Sequence, residues 1–273
     1  MIERARDEVA SYYYYDSHPT EEDLMGESPS HAALVHYLME VLTWLFRDQL
    51  CAVYENFNFY QTNNRNEKPL APDIAVIKGA QYLPVRSWRI GVTGPAPQVV
   101  FEIASEETWM RDLLEKPDRY ARMGVQEYFA YDPNQPQVWR NQPYRLCGWR
   151  LDKESGLMQQ IIPGPDGRLW SEQLDSLLIP DGPKLHLYDY AGDVRLTRSG
   201  AEAMARQAAE RRAATEAQSR RFAERRAQAA ERRMQAELQA RQIAERRAQE
   251  EAEKARLLAE RLRSLGIDPD QVL

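Results

Sequence analysis

Cysteine is scarce in this 273-residue chain, which contains only Cys51 and Cys147. The two residues lack the spacing of a metal site and any partner pattern that predicts a disulfide framework. We therefore expect a reducing compartment and a cytoplasmic location. Long apolar runs are also missing, because the most apolar stretch, residues 32–46, is too short for a membrane span. Residues 1–15 lack the apolar core of a signal peptide.

Positive charge is in short supply before residue 195. Residues 1–194 contain 18 Lys and Arg against 29 Asp and Glu, a net charge of −11, whereas residues 195–263 contain 18 against 11, a net charge of +7. Opposite signs predict two physically different parts. We predict a folded domain over residues 1–194 and a long charged helix, paired as a coiled coil, over residues 195–273. The acidic domain excludes simple electrostatic attraction of its surface to nucleic acid.

A hydrophobic content of 43%, with 14 Tyr and 6 Trp, is enough for a folded core. Apolar residues recur at helical spacing over residues 32–50, after a capping Ser28 and a first-turn Pro29. A second helix follows Thr108, and Pro117 must either begin it or kink it. The predicted strands are 51–60, 72–77, 97–104 and 127–132. The order helix, three strands, helix, strand predicts an α/β fold, to which aromatic runs over residues 137–194 add antiparallel strands.

The C-terminal part has a heptad pattern. The tetrapeptide AERR starts at residues 209, 223, 230 and 244, so that every offset is a multiple of seven. Together with the lack of Gly and Pro over residues 201–265, this spacing predicts one long helix. Its seam is mostly alanine, and it is interrupted by Glu216, Arg220, Glu237, Arg241 and Glu251. Self-association into a homo-oligomer is our expectation, with a single solvated helix as the alternative.

Three ionisable residues stand out by their position. Glu102 interrupts the apolar run VVFEIA, where a carboxylate is costly unless a cation, a metal ion or a hydrogen-bond donor compensates it. Asp73 opens the preceding strand, and Lys116 lies on the helix that follows Glu102. Two carboxylates on adjacent strands can hold Mg²⁺, and a nearby lysine can orient water or offset phosphate charge.

Each of these residues also has a structural interpretation. Asp73 could serve turn chemistry at a strand start, Glu102 could pair with an arginine, and Lys116 could lie on the surface. Arg86, Trp88 and Arg89 could contact a phosphate backbone and stack on a base, although a basic surface loop is the commoner explanation. The joint placement of Asp73, Glu102 and Lys116 favours a functional site over three independent structural roles.

A set of motifs follows in order along the chain: Pro72-Asp73, Glu102-Ile103-Ala104-Ser105, Asp112, Lys116, Tyr120, Gly124-Val125, Glu127-Tyr128 and Asp132-Pro133. In these residues and their order the stretch from Pro72 to Pro133 resembles the Uma-two family of putative restriction endonucleases, within the PD-(D/E)XK phosphodiesterase superfamily. The likeness extends over roughly residues 20–190. The resemblance implies a restriction-endonuclease-like core, which agrees with the order of elements read above.

The resemblance also implies roles for particular residues. Asp73 and Glu102 would be metal ligands, the backbone carbonyl of Ile103 would be a third ligand, and Glu27 would add a carboxylate. The superfamily's usual lysine, two residues after the Glu, is replaced here by Ala104, and the family's displaced lysine corresponds to Lys116. His31 resembles the family's histidine in the first helix, and a first-turn residue bonded to a neighbour is favoured there over a catalytic role.

These observations predict a metal-dependent endonuclease that hydrolyses phosphodiester bonds of nucleic acid, with DNA as the expected polymer. Asp73, Glu102 and Lys116 are the expected catalytic residues, and the expected cofactor is Mg²⁺, for which Mn²⁺ could substitute. The alternative is a non-catalytic scaffold or regulatory protein that keeps the nuclease fold and acts through its coiled coil. The intact acidic residues and lysine favour the enzyme, whereas the acidic domain favours the scaffold.

Overall fold

A computed structural model describes residues 28–61, 67–139 and 142–266. The chain divides into two compact units, residues 1–202 and residues 203–273. The first unit is mixed α/β, and the second consists of a single helix in the described residues. The predicted boundary at residue 195 therefore lies a few residues before this division.

Four helices occur in the described residues: α1 (Pro29–Leu45), α2 (Trp109–Leu114), α3 (Lys116–Met123) and α4 (Arg198–Ser264). The Ser28 hydroxyl accepts a hydrogen bond from the backbone N–H of His31 at 3.2 Å, so α1 begins at the predicted cap. It ends earlier than predicted, because residues 46–50 form a turn. Pro117 does not kink a longer helix; it lies in the first turn of a separate helix, because α3 starts at Lys116, one residue before it.

The central sheet contains six strands: β1 (Cys51–Glu55), β3 (Ile74–Lys78), β5 (Val99–Ile103), β6 (Glu127–Tyr131), β7 (Leu146–Asp152) and β8 (Leu157–Gln160). They lie in the order β1-β3-β5-β6-β7-β8. Among these six described strands, β5 and β6 are the one pair that runs in parallel, as expected for strands joined by a helical crossover. Because β3 and β5 are antiparallel, the start of β3 lies beside the end of β5.

The single extended segment predicted over residues 51–60 is instead two strands. Asn56 has a φ of 45°, a left-handed conformation that turns the chain away from β1. After it, β2 (Phe59–Tyr60) pairs in parallel with β4 (Trp88–Arg89), which lies where the sequence favoured a basic surface loop. Trp88 is fully buried, so it cannot stack on a base as the sequence interpretation allowed.

The strands added after residue 137 are divided between two sheets. β7 and β8 extend the central sheet, whereas β9 (Leu169–Ser171), β10 (Ser176–Asp181) and β11 (Lys184–Tyr188) form a three-stranded sheet with β10 in the middle. The aromatic pattern does not indicate β10, because that strand contains no aromatic residue.

The apolar core lies on both faces of the central sheet. On one face, Leu38 and Leu42 of α1 pack with Phe101 and Phe129 and with the leucines of the three-stranded sheet. On the other face, residues of α2 and α3 cover Val100 and Tyr128. Strand residues therefore alternate between two buried environments, and a polar side chain on either face is removed from water.

The predicted long helix is confirmed as α4, which runs over 67 residues, and none of its side chains is buried. Its exposed acids and bases form spaced pairs such as Arg220 with Glu216, at 2.8 Å. Over the described residues, the helices are either too short or too polar to cross a membrane.

Candidate active site

Strand β5 places Glu102 on the face covered by α2 and α3. Its neighbours Phe101 and Ile103 pack in the core on the opposite face. Because successive side chains of a strand point to opposite faces, the carboxylate of Glu102 lies on the face covered by these helices. Only 4% of Glu102 is exposed. The carboxylate is therefore buried, and its compensation has to come from the protein.

Asp73 lies one residue beyond the last pairing of β3 with β5, which joins Ile74 to Phe101. One carboxylate oxygen of Asp73, Oδ2, accepts a hydrogen bond from the backbone N–H of Ile103 at 2.5 Å. The other oxygen, Oδ1, lies 3.1 Å from Nε2 of His31. Asp73 thus has a structural bond to the end of β5, and a histidine from the first turn of α1 contacts it.

The ammonium group of Lys116 lies between two carboxylates. Its Nζ is 2.9 Å from Oε2 of Glu102 and 2.8 Å from Oδ1 of Asp112. Lys116 is only 6% exposed, so the interpretation as a surface lysine is wrong. The alternative in which Glu102 pairs with an arginine is also wrong, because the partner cation is this lysine. Lys116 reaches the site as the first residue of α3.

Asp112 is a member of this cluster that sequence reasoning left without a role. Its side chain is 1% exposed, and its Oδ2 accepts a hydrogen bond from the Thr108 hydroxyl at 3.2 Å. The hydroxyl of Tyr128 donates to its backbone carbonyl at 2.7 Å, which ties α2 to β6. The sequence does contain an indication of this pairing. Asp112 and Lys116 are four residues apart, a spacing that brings two side chains together along a helix.

Tyr120 completes the surroundings of Glu102, because its hydroxyl donates to Oε1 of that carboxylate. Tyr120 is fully buried, and burial together with the charge of Glu102 raises its pKa well above the usual value. The hydroxyl therefore stays protonated and remains a donor. Lys116 and Tyr120 are four residues apart on α3, so one face of that helix supplies both partners of Glu102.

The cluster holds more acid than base. Burial raises the pKa of Glu102 to about 8; the charge of Lys116 opposes that shift, while the charges of Asp73 and Asp112 add to it. Burial likewise raises the pKa of Asp112. For Lys116, burial alone would lower the pKa, but the carboxylates of Glu102 and Asp112 outweigh it and the pKa is raised. The lysine is therefore charged, and the carboxyl groups compete for one cation.

Carboxylate oxygens are the ligands that a hard divalent cation prefers, and in this structure those of Asp73 and Glu102 are bonded to the His31 ring, the Ile103 amide, Lys116 and Tyr120. Asp73 and Glu102 supply carboxylate oxygens at adjoining strand ends, and their mutual repulsion would be relieved by a positive ion. Among the described residues no group of three or more His, Cys, Asp or Glu could hold a metal ion. Mg²⁺ commonly takes one or two carboxylates and completes its shell with water and substrate phosphate, so a pair is sufficient. Glu27, the further expected ligand, lies outside the described residues.

The fold and these residues define a class: an α/β protein with a restriction-endonuclease-like core, in which a buried lysine meets Glu102 of a central strand and Asp112 of a covering helix. The model of the Uma2 (Uma-two) family, described as putative restriction endonuclease, matches residues 11–158, more than half of the chain. The protein belongs to this family.

Among solved structures, the chain is similar to a putative nuclease belonging to DUF820 from Anabaena variabilis ATCC 29413. The two share 14% sequence identity with a TM-score of 0.39, and the match covers 55% of this chain and 76% of the other. A comparison with curated proteins finds no match.

Proposed function

We propose that this protein is a Mg²⁺-dependent endonuclease that hydrolyses phosphodiester bonds of nucleic acid, with DNA as the expected substrate. One observation carries the proposal: Glu102, Asp112 and Lys116 form a buried cluster of charges beside Asp73. Buried ion pairs seldom add stability over apolar residues of similar volume, so a cluster with several acids and one base suggests a functional role.

The residues divide the work according to their chemistry. Asp73 and Glu102 would hold the metal ion with their carboxylates, and the Ile103 carbonyl would be the third protein ligand. The bound ion would lower the pKa of a coordinated water and stabilise negative charge on the phosphodiester. Because Glu102 and Asp112 raise the pKa of Lys116, its ammonium group would offset phosphate charge and orient the attacking water.

Three further residues would act through these groups. Asp112 holds the ammonium group of Lys116 against Glu102, and Tyr120 fixes the carboxylate of Glu102 by a hydrogen bond. His31 touches Asp73 and would restrict the rotation of that carboxylate. Since these three side chains approach from α1, α2 and α3, the site depends on the packing of helices on both faces of the sheet.

A specific observation also favours the alternative function. Residues 1–194 carry a net charge of −11, so no long-range attraction draws nucleic acid to the domain. A non-catalytic scaffold or regulatory protein that acts through α4 would not need such attraction.

The two free cysteines, whose pKa values burial raises to about 11, fit a reducing compartment, so the cytoplasm is the proposed location.

The test is cleavage of DNA and RNA, single- and double-stranded, by purified full-length protein with Mg²⁺, with Mn²⁺ and with chelator. We expect cleavage with either metal and none with chelator. Glu102→Gln should abolish it, whereas Glu106→Gln, an exposed acid nearby in the chain, should not. Undiminished cleavage by Glu102→Gln would remove Glu102 from the mechanism. Absence of cleavage of every substrate by the wild type would favour the scaffold.

A further inference from the structure

Helix α4 contains an internal repeat that is longer than the heptad. Residues 209–229 and residues 230–250 are identical at 13 of 21 positions. Because 21 residues are three heptads, each position of the first copy occupies the same heptad position in the second. The repeat therefore preserves which residue types stand on the seam, including its charged ones.

The two seam positions differ in charge. We name them a and d, as in a coiled coil, and follow them from residue 206 to residue 251. The a positions are Arg206, Ala213, Arg220, Ala227, Met234, Arg241 and Ala248. The d positions are Ala209, Glu216, Ala223, Ala230, Glu237, Ala244 and Glu251. Every charged a residue is arginine and every charged d residue is glutamate.

This separation distinguishes the two orientations of a helix pair. In a parallel pair, a faces a and d faces d, so no seam arginine faces a seam glutamate in any register. In register, the parallel pair would place three Arg–Arg and three Glu–Glu layers at its centre. In an antiparallel pair, a faces d, and opposite charges can meet.

We propose that two copies of this chain pair through α4 in antiparallel orientation, with facing residues whose numbers add up to 457. Three pairs of opposite charge then form, each occurring twice in the dimer: Arg206 with Glu251, Glu216 with Arg241, and Arg220 with Glu237. Every other layer between residues 206 and 251 is apolar: Ala209 with Ala248, Ala213 with Ala244, Ala223 with Met234, and Ala227 with Ala230. Each of the fourteen seam positions therefore faces either a residue of opposite charge or, at the apolar positions, another apolar residue.

Neighbouring registers do not give this match. A shift of one heptad in either direction makes Arg206 face Ala244 or Leu258, and it makes the other seam arginines face alanine. Beyond residues 206–251 the layers are mixed, since Ala255 would face Glu202 and Leu258 would face Ser199. The proposed contact is thus limited to these 46 residues. The two copies of Arg198 would lie about 90 Å apart along the pair, at 1.5 Å per residue.

The flanking positions favour the opposite orientation, but more weakly. Arg212, Arg226, Arg233 and Arg247 on one side, and Glu210, Glu224, Glu231 and Glu245 on the other, would each approach like charges in the antiparallel pair. These side chains lie at the rim, where solvent and salt screen them. The seam charges face each other directly, and alanine neighbours allow the helix axes to come close, so the seam decides.

The surface is available in the described chain. No side chain of α4 is buried by its own chain, and Arg220 and Glu216 are 75% and 66% exposed. Dimerisation would exchange such i,i+4 pairs within a helix for pairs between helices. A second copy is therefore the partner whose charges fit this face, and the inference holds whether or not the first unit cleaves nucleic acid.

Charge reversal in the full-length protein tests the register. Arg220→Glu would face Glu237 of the second copy and should raise the dissociation constant by roughly tenfold or more in sedimentation experiments. The double variant Arg220→Glu with Glu237→Arg should restore the affinity of the wild type. In a parallel pair the double variant would only exchange one like-charge layer for another. Failure of the restoration, or a monomeric wild type at tens of micromolar, would overturn the proposal.

Disulfide formation tests the orientation independently. In a Cys51→Ser background, Ala209→Cys and Ala248→Cys should not form a disulfide dimer when each is oxidised alone. An equimolar mixture of the two variants should do so, because residues 209 and 248 face each other. Cross-linking of Ala209→Cys with itself would show parallel pairing and contradict the proposal.

Discussion

The variant Glu102→Gln should be inactive and yet more stable than the wild type above neutral pH. The substitution keeps the shape of the side chain and removes its charge. Lys116 retains its pair with Asp112 at 2.8 Å, so the change does not leave a buried cation without a partner. It does relieve the repulsion between Glu102 and the other two acids of the cluster.

The sign and size of the effect follow from the pKa of Glu102. Folding raises that pKa from 4.5 to about 8, so between these values the folded protein binds a proton that the unfolded chain has released. The free energy of unfolding therefore falls as the pH rises through this window. A shift of this size corresponds to at most about 5 kcal/mol at pH 8 and above. Glutamine does not titrate, so the free energy of unfolding of Glu102→Gln should not show the decrease with pH that Glu102 causes in the wild type.

The assay is urea unfolding of the wild type, Glu102→Gln and Glu106→Gln from pH 5 to pH 9. Asp112, whose pKa burial also raises, gives a slope of the same sign in all three proteins, so the difference between slopes is the measurement. Glu106→Gln changes an exposed acid and should follow the wild type. Equal slopes for the wild type and Glu102→Gln, or a less stable Glu102→Gln at pH 8.5, would refute the reasoning.

Three further predictions address the lysine, its partner and the long helix. Lys116→Ala should lower the cleavage rate by roughly 100-fold or more, without a comparable loss of Mg²⁺ affinity by titration, whereas exposed Lys184→Ala should leave both unchanged. Asp112→Asn should lower the rate by roughly tenfold, because it removes the group that holds Lys116, and normal turnover would contradict this role. Truncation after Arg198 should give a monomer by sedimentation with the circular dichroism of a folded α/β unit; unfolding would show that the unit needs α4.

Local patterns predicted the order of elements well. Ser28 and Pro29 mark the start of α1 because capping is a local interaction, and the apolar runs of β3, β5 and β6 are buried on both faces. The division of residues 51–60 into β1 and β2 was beyond that reasoning. It depends on the left-handed Asn56 and on pairing of β2 with β4, a contact between residues far apart in the chain.

The site shows the same limit of sequence reasoning. The unusual position of Glu102 within an apolar strand was visible, since a carboxylate there requires a partner. Its actual partners, Lys116 and Tyr120, lie 14 and 18 residues away and meet it only because α3 folds back over the sheet. The burial of Asp112 was hidden for the same reason, as its sequence neighbours give no sign that Tyr128 holds its carbonyl.

The position of Lys116 explains how a site can keep its charge when the lysine expected by resemblance is missing. Ala104 follows Glu102 by two residues, lies on the same face of the sheet and is buried under the helices. A lysine at position 104 would have to share that space with the side chains of α3. Because α3 begins at Lys116 and runs over the same face, it delivers an ammonium group to Glu102 from above. Under the proposed function, a cation beside this carboxylate is what the chemistry needs, and in this chain α3 supplies it.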